Sequence, residues 1–170
     1  AAVTVLTLLL AVSCQRDKHT ILTTQDDIEP SVVTLPLPDN VAPQIGQLIA
    51  SAIEQTKLTT GYDPAYVGID YPNGDVPVET GVCSDVVIRA FRKTGIDLQK
   101  EVHEDMGRAW ADYPKKWGAA GRDANIDHRR VANLMTLFDR KGKAQPISTD
   151  RSQYLPGDIV AWDLGNKVDH

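Results

Sequence analysis

The chain has 170 residues, the size of one ordinary domain whose hydrophobic core is large enough to stabilise it without disulfides or a structural metal. Its formal net charge of −5 excludes the basic footprint of a nucleic-acid-binding protein, so no nucleic-acid partner is expected. Two cysteines, Cys14 and Cys83, exclude a disulfide framework, though not a single bridge. The sequence has no Gly-rich phosphate loop, and its four histidines lack the close spacing of metal-ligand sets; we therefore expect neither a cofactor nor a metal site.

The first predicted segment, residues 1–14, is an export signal. Residues 1–12 are apolar apart from two threonines, a run too short to span a membrane but of the right length for a signal-peptide core. The sequence Leu10-Ala11-Val12-Ser13-Cys14 resembles the lipobox of bacterial lipoproteins, in which cleavage precedes a cysteine that is then acylated. We therefore expect an exported protein, periplasmic or held at the membrane only through a lipid on Cys14. An ordinary secretory signal with an incidental cysteine is the alternative.

Two further regions follow the signal. Residues 15–43 are polar and punctuated by prolines, without lasting periodicity, which is typical of a flexible tether. Residues 44–170 form the predicted folded domain. Because the chain stops at His170, on the first residue of a predicted strand, we expect this domain to be incomplete at its C terminus.

The predicted helices of this domain come first. Apolar residues at helical spacing predict helices over residues 45–56, 83–94, 102–113 and 128–138. Gly95 is the predicted C-cap of the second helix, Pro114 stops the third, and Asp127 is the predicted N-cap of the fourth.

The predicted strands come mostly at the end of the chain. A short extended segment at residues 66–71 and a turn at residues 72–75 lie between the first two helices. The apolar run within Leu155–Leu164 predicts a buried strand, and Gly165-Asn166 predicts a hairpin turn into a strand that begins near His170. Helices followed by strands indicate an α+β fold, in which N-terminal helices pack on a C-terminal antiparallel sheet.

Cys83 is the strongest candidate for a catalytic residue. It stands at the predicted start of a helix, where unpaired N–H groups and the positive end of the helix dipole stabilise a thiolate, the nucleophilic form of cysteine. The same N–H groups can bind the oxyanion of a tetrahedral intermediate. The alternative is that Cys83 packs in the core, because free cysteine is among the most buried residue types.

The residues around Cys83 resemble a known motif. The stretch from Gly81 to Ile96 resembles the Cys-Ser-Gly motif and the following helix of the NlpC-type cell-wall cysteine peptidases, and Leu155–Trp162 resembles their Pro-Gly-Asp-Leu-Val strand. Two positions depart from the pattern: Asp85 stands where those peptidases have Gly, and Val82 stands where they usually have Asp.

This resemblance implies a papain-like fold and a set of roles. Cys83 is the implied nucleophile, and His170 falls where those peptidases place the catalytic histidine, at the start of the next strand. Tyr66, in a segment similar to the one whose tyrosine assists at their oxyanion site, and Ser84, beside the nucleophile, are the implied oxyanion support. The third group that orients the histidine lies after it in those families, beyond the last residue of this chain.

A closer resemblance is to a bacterial family, domain-of-unknown-function family 1287. The stretches Gly81–Arg89 and Asn125–Leu134 carry this resemblance, which covers roughly residues 45–170. That family is grouped with papain-like hydrolases. The resemblance therefore implies a fold and a set of site residues, but it does not identify the substrate.

Asp85, His128 and Arg129 are candidate substrate-binding residues. Asp85 could raise the pKa of the Cys83 thiol by like-charge repulsion, or it could pair with Arg89 one helical turn away. His128, a competing base, belongs to a charged cluster at the start of the fourth helix. That cluster is either a capped helix start with a solvated face or part of the cleft, where Arg129 or the arginine after it meets a substrate carboxylate.

Three aromatic residues, Trp110, Tyr113 and Trp117, are spaced three and then four residues apart. Aromatic rings stack on sugars and peptides, so a groove that binds cell-wall material is conceivable. Packing in the core is the alternative.

Together these features predict a thiol hydrolase, an amidase or peptidase, of the bacterial cell envelope. Its expected substrate is peptidoglycan or its peptides, with Cys83 as nucleophile and His170 as general base. A thiol esterase or acyltransferase on the same fold, and a non-catalytic envelope binding module on the same scaffold, are the two alternatives.

Overall fold

Four α-helices and one two-stranded sheet make up the fold in the computed structural model, which describes residues 36–165 and 169–170. All of these residues belong to the unit Thr34–His170. The helices are α1 (Pro43–Leu58), α2 (Cys83–Lys93), α3 (Leu98–Ala109) and α4 (Val131–Arg140).

The predicted helices are confirmed, with shifted ends. α1 begins at Pro43, because a proline in the first helical turn already has the helical φ and loses no intrahelical hydrogen bond. α3 begins at Leu98, four residues before the predicted start, since the Asp97 side chain caps it by accepting the Gln99 N–H at 3.0 Å. It ends at Ala109, and a 3₁₀ turn, Trp110–Asp112, takes up the rest of the predicted length.

The predicted cap of α4 is wrong. Arg130, not Asp127, is the N-cap of α4, and it makes no side-chain capping bond. Asp127 instead begins a separate 3₁₀ turn, Asp127–Arg129, and its Oδ2 accepts the N–H of Asp123 at 2.6 Å. The carboxylate thus closes a turn with the residues before it, which leaves it unable to cap the helix after it.

The sheet is small and parallel. β1 (Gly61–Tyr62) pairs with β2 (Thr80–Gly81) in the register Gly61 with Thr80 and Tyr62 with Gly81. Helices with a small sheet are consistent with the predicted α+β class. Because β2 ends one residue before Val82 and α2, the sheet places Tyr62 beside the start of α2.

The predicted C-terminal strand is not seen as a strand in the described residues. Leu155–Leu164 contains one isolated antiparallel bridge, from Asp163 to Asp169, flanked by backbone hydrogen bonds of 2.7 and 2.8 Å between Trp162 and His170. Its apolar side chains are largely exposed, so the apolar run lacks the sheet neighbours that would bury it. Of the predicted hairpin turn, Gly165 has a φ of 78° and residue 166 lies outside the described residues.

The predicted turn before α2 is confirmed, whereas residues 66–71 form no strand. Asn73 has a φ of 66°, in the left-handed region that asparagine tolerates. Position 74 accepts only glycine, because the Cβ of any other residue would lie 1.9 Å from the carbonyl oxygen of Asp70.

The hydrophobic core lies between α2, α3 and α4. Its buried members come from these helices and from the chain just after α3: Ile88, Leu98, Val102, Met106, Tyr113, Leu134 and Leu137. Val87, Phe91, Trp110 and Phe138 pack against them. Tyr113 and Trp110 therefore serve core packing, whereas Trp117 is exposed.

A buried arginine fixes the chain between the turn and β2. Arg89 Nε donates to both carboxylate oxygens of Asp75 at 3.2 and 3.1 Å, and Nη1 donates to Thr59 Oγ1 at 3.1 Å. Its Nη2 donates at 3.2 Å to three carbonyl oxygens, those of Val76, Pro77 and Thr80. We refer to Arg89 and these partners as the Arg89 cluster.

The predicted export signal, Cys14 and the tether up to residue 35 lie outside the described residues. Within the described ranges, no helix combines the length and the apolar character needed to cross a membrane.

Candidate active site

Cys83 opens into a cleft at the tip of α2. It is the first residue of the helix, because Val82 before it is extended, with φ −118° and ψ 171°. The cleft has a volume of about 260 Å³. Its lining residues, which together we call the Cys83 cleft, are Tyr62, Pro64, Val82, Cys83, Trp117, Ile126, Arg129, Arg130, Val131 and Asp169.

The Cys83 thiol is free and half-buried. Burial in the cleft raises its pKa above the ordinary value, and the nearby carboxylate of Asp85 adds to this rise. The Ser84 N–H, which faces the sulfur, lowers the pKa but does not cancel the effect of burial. Cys83 is therefore a protonated thiol at neutral pH, and a base must remove its proton before it can act as a nucleophile.

A buried ion pair lies directly beneath the start of α2. Arg129 Nε and Nη2 each donate to one oxygen of Asp85 at 2.9 Å, and the exposed fractions of the two side chains are 2% and 4%. Arg129 also donates to the carbonyls of Ala65 at 3.2 Å and Asp63 at 3.4 Å. We call these residues, with Ser84, the Arg129 cluster. It joins α2, the Asp127–Arg129 turn and the chain after β1.

Asp85 also caps its own helix. Its Oδ2 accepts the N–H of Val82 at 2.7 Å, which satisfies a donor that the first turn leaves unpaired. The close approach requires glycine two residues before Cys83, since a Cβ on Gly81 would lie 2.8 Å from this oxygen. The alternative pairing of Asp85 with Arg89 is wrong, because Arg89 is held by Asp75. Within the described residues, the Asp85 carboxylate is directed to Arg129 and Val82.

His128 is buried beside the Arg129 cluster, with an exposed fraction of 2%. Burial, the largest cause, lowers the pKa of its imidazole to about 4, and the Asp85 carboxylate opposes this shift. Its Nδ1 is buried without a hydrogen-bond partner among the described residues. The interpretation of this segment as a solvated helix face is wrong for His128 and Arg129, because both are buried.

The two predicted oxyanion-support side chains are engaged elsewhere. The Ser84 hydroxyl is buried and donates to the carbonyl oxygen of Arg129 at 2.6 Å, so only its backbone N–H faces the sulfur. The Tyr66 hydroxyl donates to Asp123 Oδ2 at 3.0 Å and accepts from Asn125 Nδ2 at 2.8 Å. The tyrosine that lines the Cys83 cleft is Tyr62.

The predicted base, His170, is exposed at the end of the described chain. Its backbone is fixed by the two hydrogen bonds to Trp162. The neighbouring residue, Asp169, lines the Cys83 cleft, and its Oδ2 accepts from Lys116 Nζ at 2.8 Å. The structure therefore brings the segment that carries His170 to the edge of the cleft, while His170 itself is not one of the lining residues.

Two polar residues of the cleft wall, Tyr62 and Asp169, were not predicted from the sequence. Tyr62 and Asp169 lie on short segments with weak patterns, and each reaches the cleft through pairing with a distant segment. Of the three aromatic residues for which a groove or core packing was predicted, Trp117 is the one that lies in a cleft. It lines the cleft from a left-handed backbone position, with φ 61°, and the Arg130 guanidinium lies 4.0 Å from the centre of one of its rings.

Comparisons with known proteins point to one family. The model of the family described as "Domain of unknown function (DUF1287)" matches residues 49–170. The chain is 50% identical over 143 residues to "Uncharacterized protein YijF" of Escherichia coli (strain K12), which covers 84% of this chain and 67% of that protein. No solved structure matches the chain.

Proposed function

The chain belongs to the DUF1287 family, and from that premise we propose that it is a thiol hydrolase of the bacterial cell envelope. The bond cleaved is an amide, and the substrate is a peptide of peptidoglycan. The scaffold in this proposal is papain-like, with the helix that begins at Cys83 facing the segment that carries His170.

One observation carries the proposal: a free thiol stands on the first residue of an α-helix and opens into a cleft. A carbonyl carbon that reaches the sulfur in this cleft has its oxygen near the first N–H groups of α2. These donors are unpaired within the helix, and they stabilise the charge that develops on the oxygen. The Ser84 N–H, which faces the sulfur, belongs to this group.

The proposed reaction begins with a proton transfer. Because burial raises the pKa of Cys83, a base takes the S–H proton as the sulfur attacks the amide carbonyl. His170 is the proposed base. The same imidazolium then gives the proton to the leaving amine as the C–N bond breaks. Water hydrolyses the resulting thioester, which releases the carboxylic acid and regenerates the thiol.

The envelope assignment rests on the first 14 residues of the chain. An apolar run of signal-peptide length followed by a lipobox-like cysteine supports export, and a lipid on Cys14 supports a membrane-anchored form. Peptidoglycan is a polymer of that compartment whose peptide stems carry amide bonds, and the resemblance to the cell-wall peptidases supports it as the substrate. Radiolabelled palmitate incorporated into the wild-type protein, and absent from a Cys14→Ser variant, tests the anchor.

The decisive experiment compares the protein with its Cys83→Ala variant on purified muropeptides, with products identified by mass spectrometry. We expect new peptide products from the wild type and none from Cys83→Ala. Cys14→Ser is the matched control, since it removes the other thiol and should leave the products unchanged. The proposal fails if the wild type yields no product, or if Cys83→Ala yields the same products.

The second candidate is a non-catalytic module that binds cell-wall material. The raised pKa of Cys83 and the exposed position of His170 are the observations that support it. Co-sedimentation of wild type and Cys83→Ala with purified sacculi, equal for both and without new products, would support the binder. A thioester substrate in the same product assay tests the thiol esterase or acyltransferase alternative.

A further inference from the structure

The cations around the Cys83 cleft are not equivalent. Arg129 is neutralised by Asp85 at 2.9 Å, and Lys116 neutralises Asp169 at 2.8 Å. Arg130 lines the same cleft, and among the described residues no carboxylate oxygen lies within 4.0 Å of its guanidinium nitrogens. Among the described charged residues that line the cleft, Arg130 is therefore the one without an ion-pair partner, while the carboxylates of Asp127 and Asp123, outside the cleft lining, stabilise its positive charge.

Arg130 is also held in place. Its guanidinium carbon lies 4.0 Å from the centre of a Trp117 ring, within the range of a cation–π contact. Stacking engages the face of the guanidinium and leaves the N–H donors at its edge available in one plane. A carboxylate is the planar anion that matches two such parallel donors.

We propose that Arg130 binds a substrate carboxylate in the Cys83 cleft, so that the substrate is a peptide with a carboxylate close to the amide that Cys83 attacks. This inference rests on the proposed function, because it takes Cys83 as the reacting group. A substrate amine does not fit the same place, since the acidic group in the cleft, Asp169, is already paired with Lys116. Arg130 is thus a specificity-determining residue, which orients the substrate through its charge.

Two alkylating reagents test this inference without knowledge of the substrate. Iodoacetate and iodoacetamide transfer nearly the same group to a thiol, with loss of iodide, but only iodoacetate carries a carboxylate. We expect the ratio of the iodoacetate rate to the iodoacetamide rate at Cys83 to exceed that of free N-acetylcysteine. Because both rates are read by mass spectrometry on the peptide that contains Cys83, Cys14 does not contribute to the result.

The key variant is Arg130→Gln. Removal of one positive charge from the lining of the cleft that holds the thiol should lower the rate ratio by about threefold to tenfold, while the iodoacetamide rate itself changes little. Arg130→Lys should retain part of the preference, because it keeps the charge but loses the planar donors. Arg151→Gln is the matched control: it removes an arginine from the exposed Arg151–Gln153 turn, which does not line the cleft, and should leave the ratio unchanged.

A wild-type ratio that persists in Arg130→Gln overturns the inference, since another cation, such as Lys116, would then attract the anion. A ratio no higher than that of N-acetylcysteine overturns it as well. These failures are distinct from failure of the hydrolase proposal, which the muropeptide products decide. Arg130 could bind the anionic reagent in a protein that yields no product, and a working hydrolase could show no preference for the anion.

Discussion

Two arginines hold the molecule together in the same chemical way, at places with different consequences. Arg89 and Arg129 are both buried, both bind a carboxylate through two hydrogen bonds, and both donate to backbone carbonyls. The Arg89 cluster fixes the chain between the turn at Gly74 and β2. The Arg129 cluster fixes the start of α2, where the Cys83 thiol stands.

The two clusters differ in how deeply their carboxylates are buried and in how close they lie to Cys83. Asp75 keeps an exposed side-chain fraction of 33% and also binds Arg92, whereas Asp85 is almost completely buried and lies within two residues of Cys83. Each arginine fixes the backbone around it through hydrogen bonds to carbonyl oxygens. Only Arg129 lines a cleft with a free thiol, so it links the stability of the fold to the chemistry of the candidate site.

The largest expected effect comes from removal of either arginine. Arg129→Met should lower the free energy of unfolding by about 3–5 kcal/mol, because it leaves the buried Asp85 carboxylate without its ion-pair partner and two carbonyls without donors. Arg89→Met should lower it by about 2–3 kcal/mol, because three carbonyls lose their donor while Asp75 is partly exposed and keeps Arg92. Urea unfolding followed by circular dichroism measures both losses. An exposed helical pair, Lys100 and Glu104, supplies the control, since Lys100→Met should cost less than about 0.5 kcal/mol.

The same two variants test whether the clusters differ in function. In the folded protein, Arg129→Met should change the alkylation rate of Cys83, because the anchoring of Asp85 and of the chain after β1 is lost. Arg89→Met should leave that rate unchanged. Equal effects of the two variants on Cys83 would contradict the distinction between a purely structural cluster and one that positions the site.

The next effect concerns acid, and it should arise beside the Arg129 cluster, where His128 is buried, and not at the Arg89 cluster, which has no histidine among its members. His128 has a pKa of about 4 in the folded protein, against an ordinary value of 6.5. Between these values the unfolded chain binds a proton that the folded chain does not, so stability falls as the pH drops from 6.5 to 4 and is fully present above 6.5. The loss should be on the order of 3 kcal/mol, at about 1.4 kcal/mol per unit of pKa.

The measurement is the free energy of unfolding from pH 7.5 to pH 4, for the wild type and for His128→Gln. Glutamine fills much of the same space and does not titrate in this range, so its stability should depend less on pH by the amount that His128 contributes. Parallel curves for the two proteins would show that the imidazole is already charged, or hydrated, in the folded state.

A smaller effect is expected at Ser84, and it separates a structural hydroxyl from a catalytic one. Ser84→Ala removes the 2.6 Å bond to the Arg129 carbonyl and should cost about 1–2 kcal/mol of stability, because the buried carbonyl loses its donor. The backbone N–H beside the sulfur remains, so the alkylation rate of Cys83 should not change. Thr59→Val removes the corresponding hydroxyl of the Arg89 cluster and serves as the comparison.

The contrast between the clusters also explains how much of the site the sequence could predict. The position of Cys83 at a helix start followed from local signals, the apolar spacing after it and Gly95 at the end of the helix. The partner of Asp85 did not. Arg89, four residues along the same helix, was the natural local choice, but Asp75 binds it, and the true partner, Arg129, lies 44 residues further along the chain.

The fold shows the same division between local and long-range signals. Helix periodicity predicted all four helices, and the errors at their ends arose where one residue decided the boundary, as Pro43 does for α1 and the Asp97 carboxylate for α3. The parallel pairing of β1 with β2 depends on two residues from each strand, too few to leave a pattern. Leu155–Leu164 has a clear strand pattern, yet a pattern cannot supply the neighbouring strands that would complete a sheet.

The smallest expected effect is at Tyr66, on the rim of the Arg129 cluster, next to the Ala65 carbonyl that Arg129 binds. Tyr66→Phe removes exposed hydrogen bonds to Asp123 and Asn125 and should cost less than about 1 kcal/mol. If the Tyr66 hydroxyl serves only to make those two hydrogen bonds, product formation from muropeptides should change less than about twofold. Tyr62→Ala, inside the cleft, should have the larger effect.

A drop of about a hundredfold in Tyr66→Phe, with normal stability, would instead place the Tyr66 hydroxyl at the oxyanion during the reaction, because loss of one oxyanion donor costs that much. Tyr66 would then have to leave Asp123 when substrate binds, and the loop that the Arg129 cluster holds would be a moving part of the site.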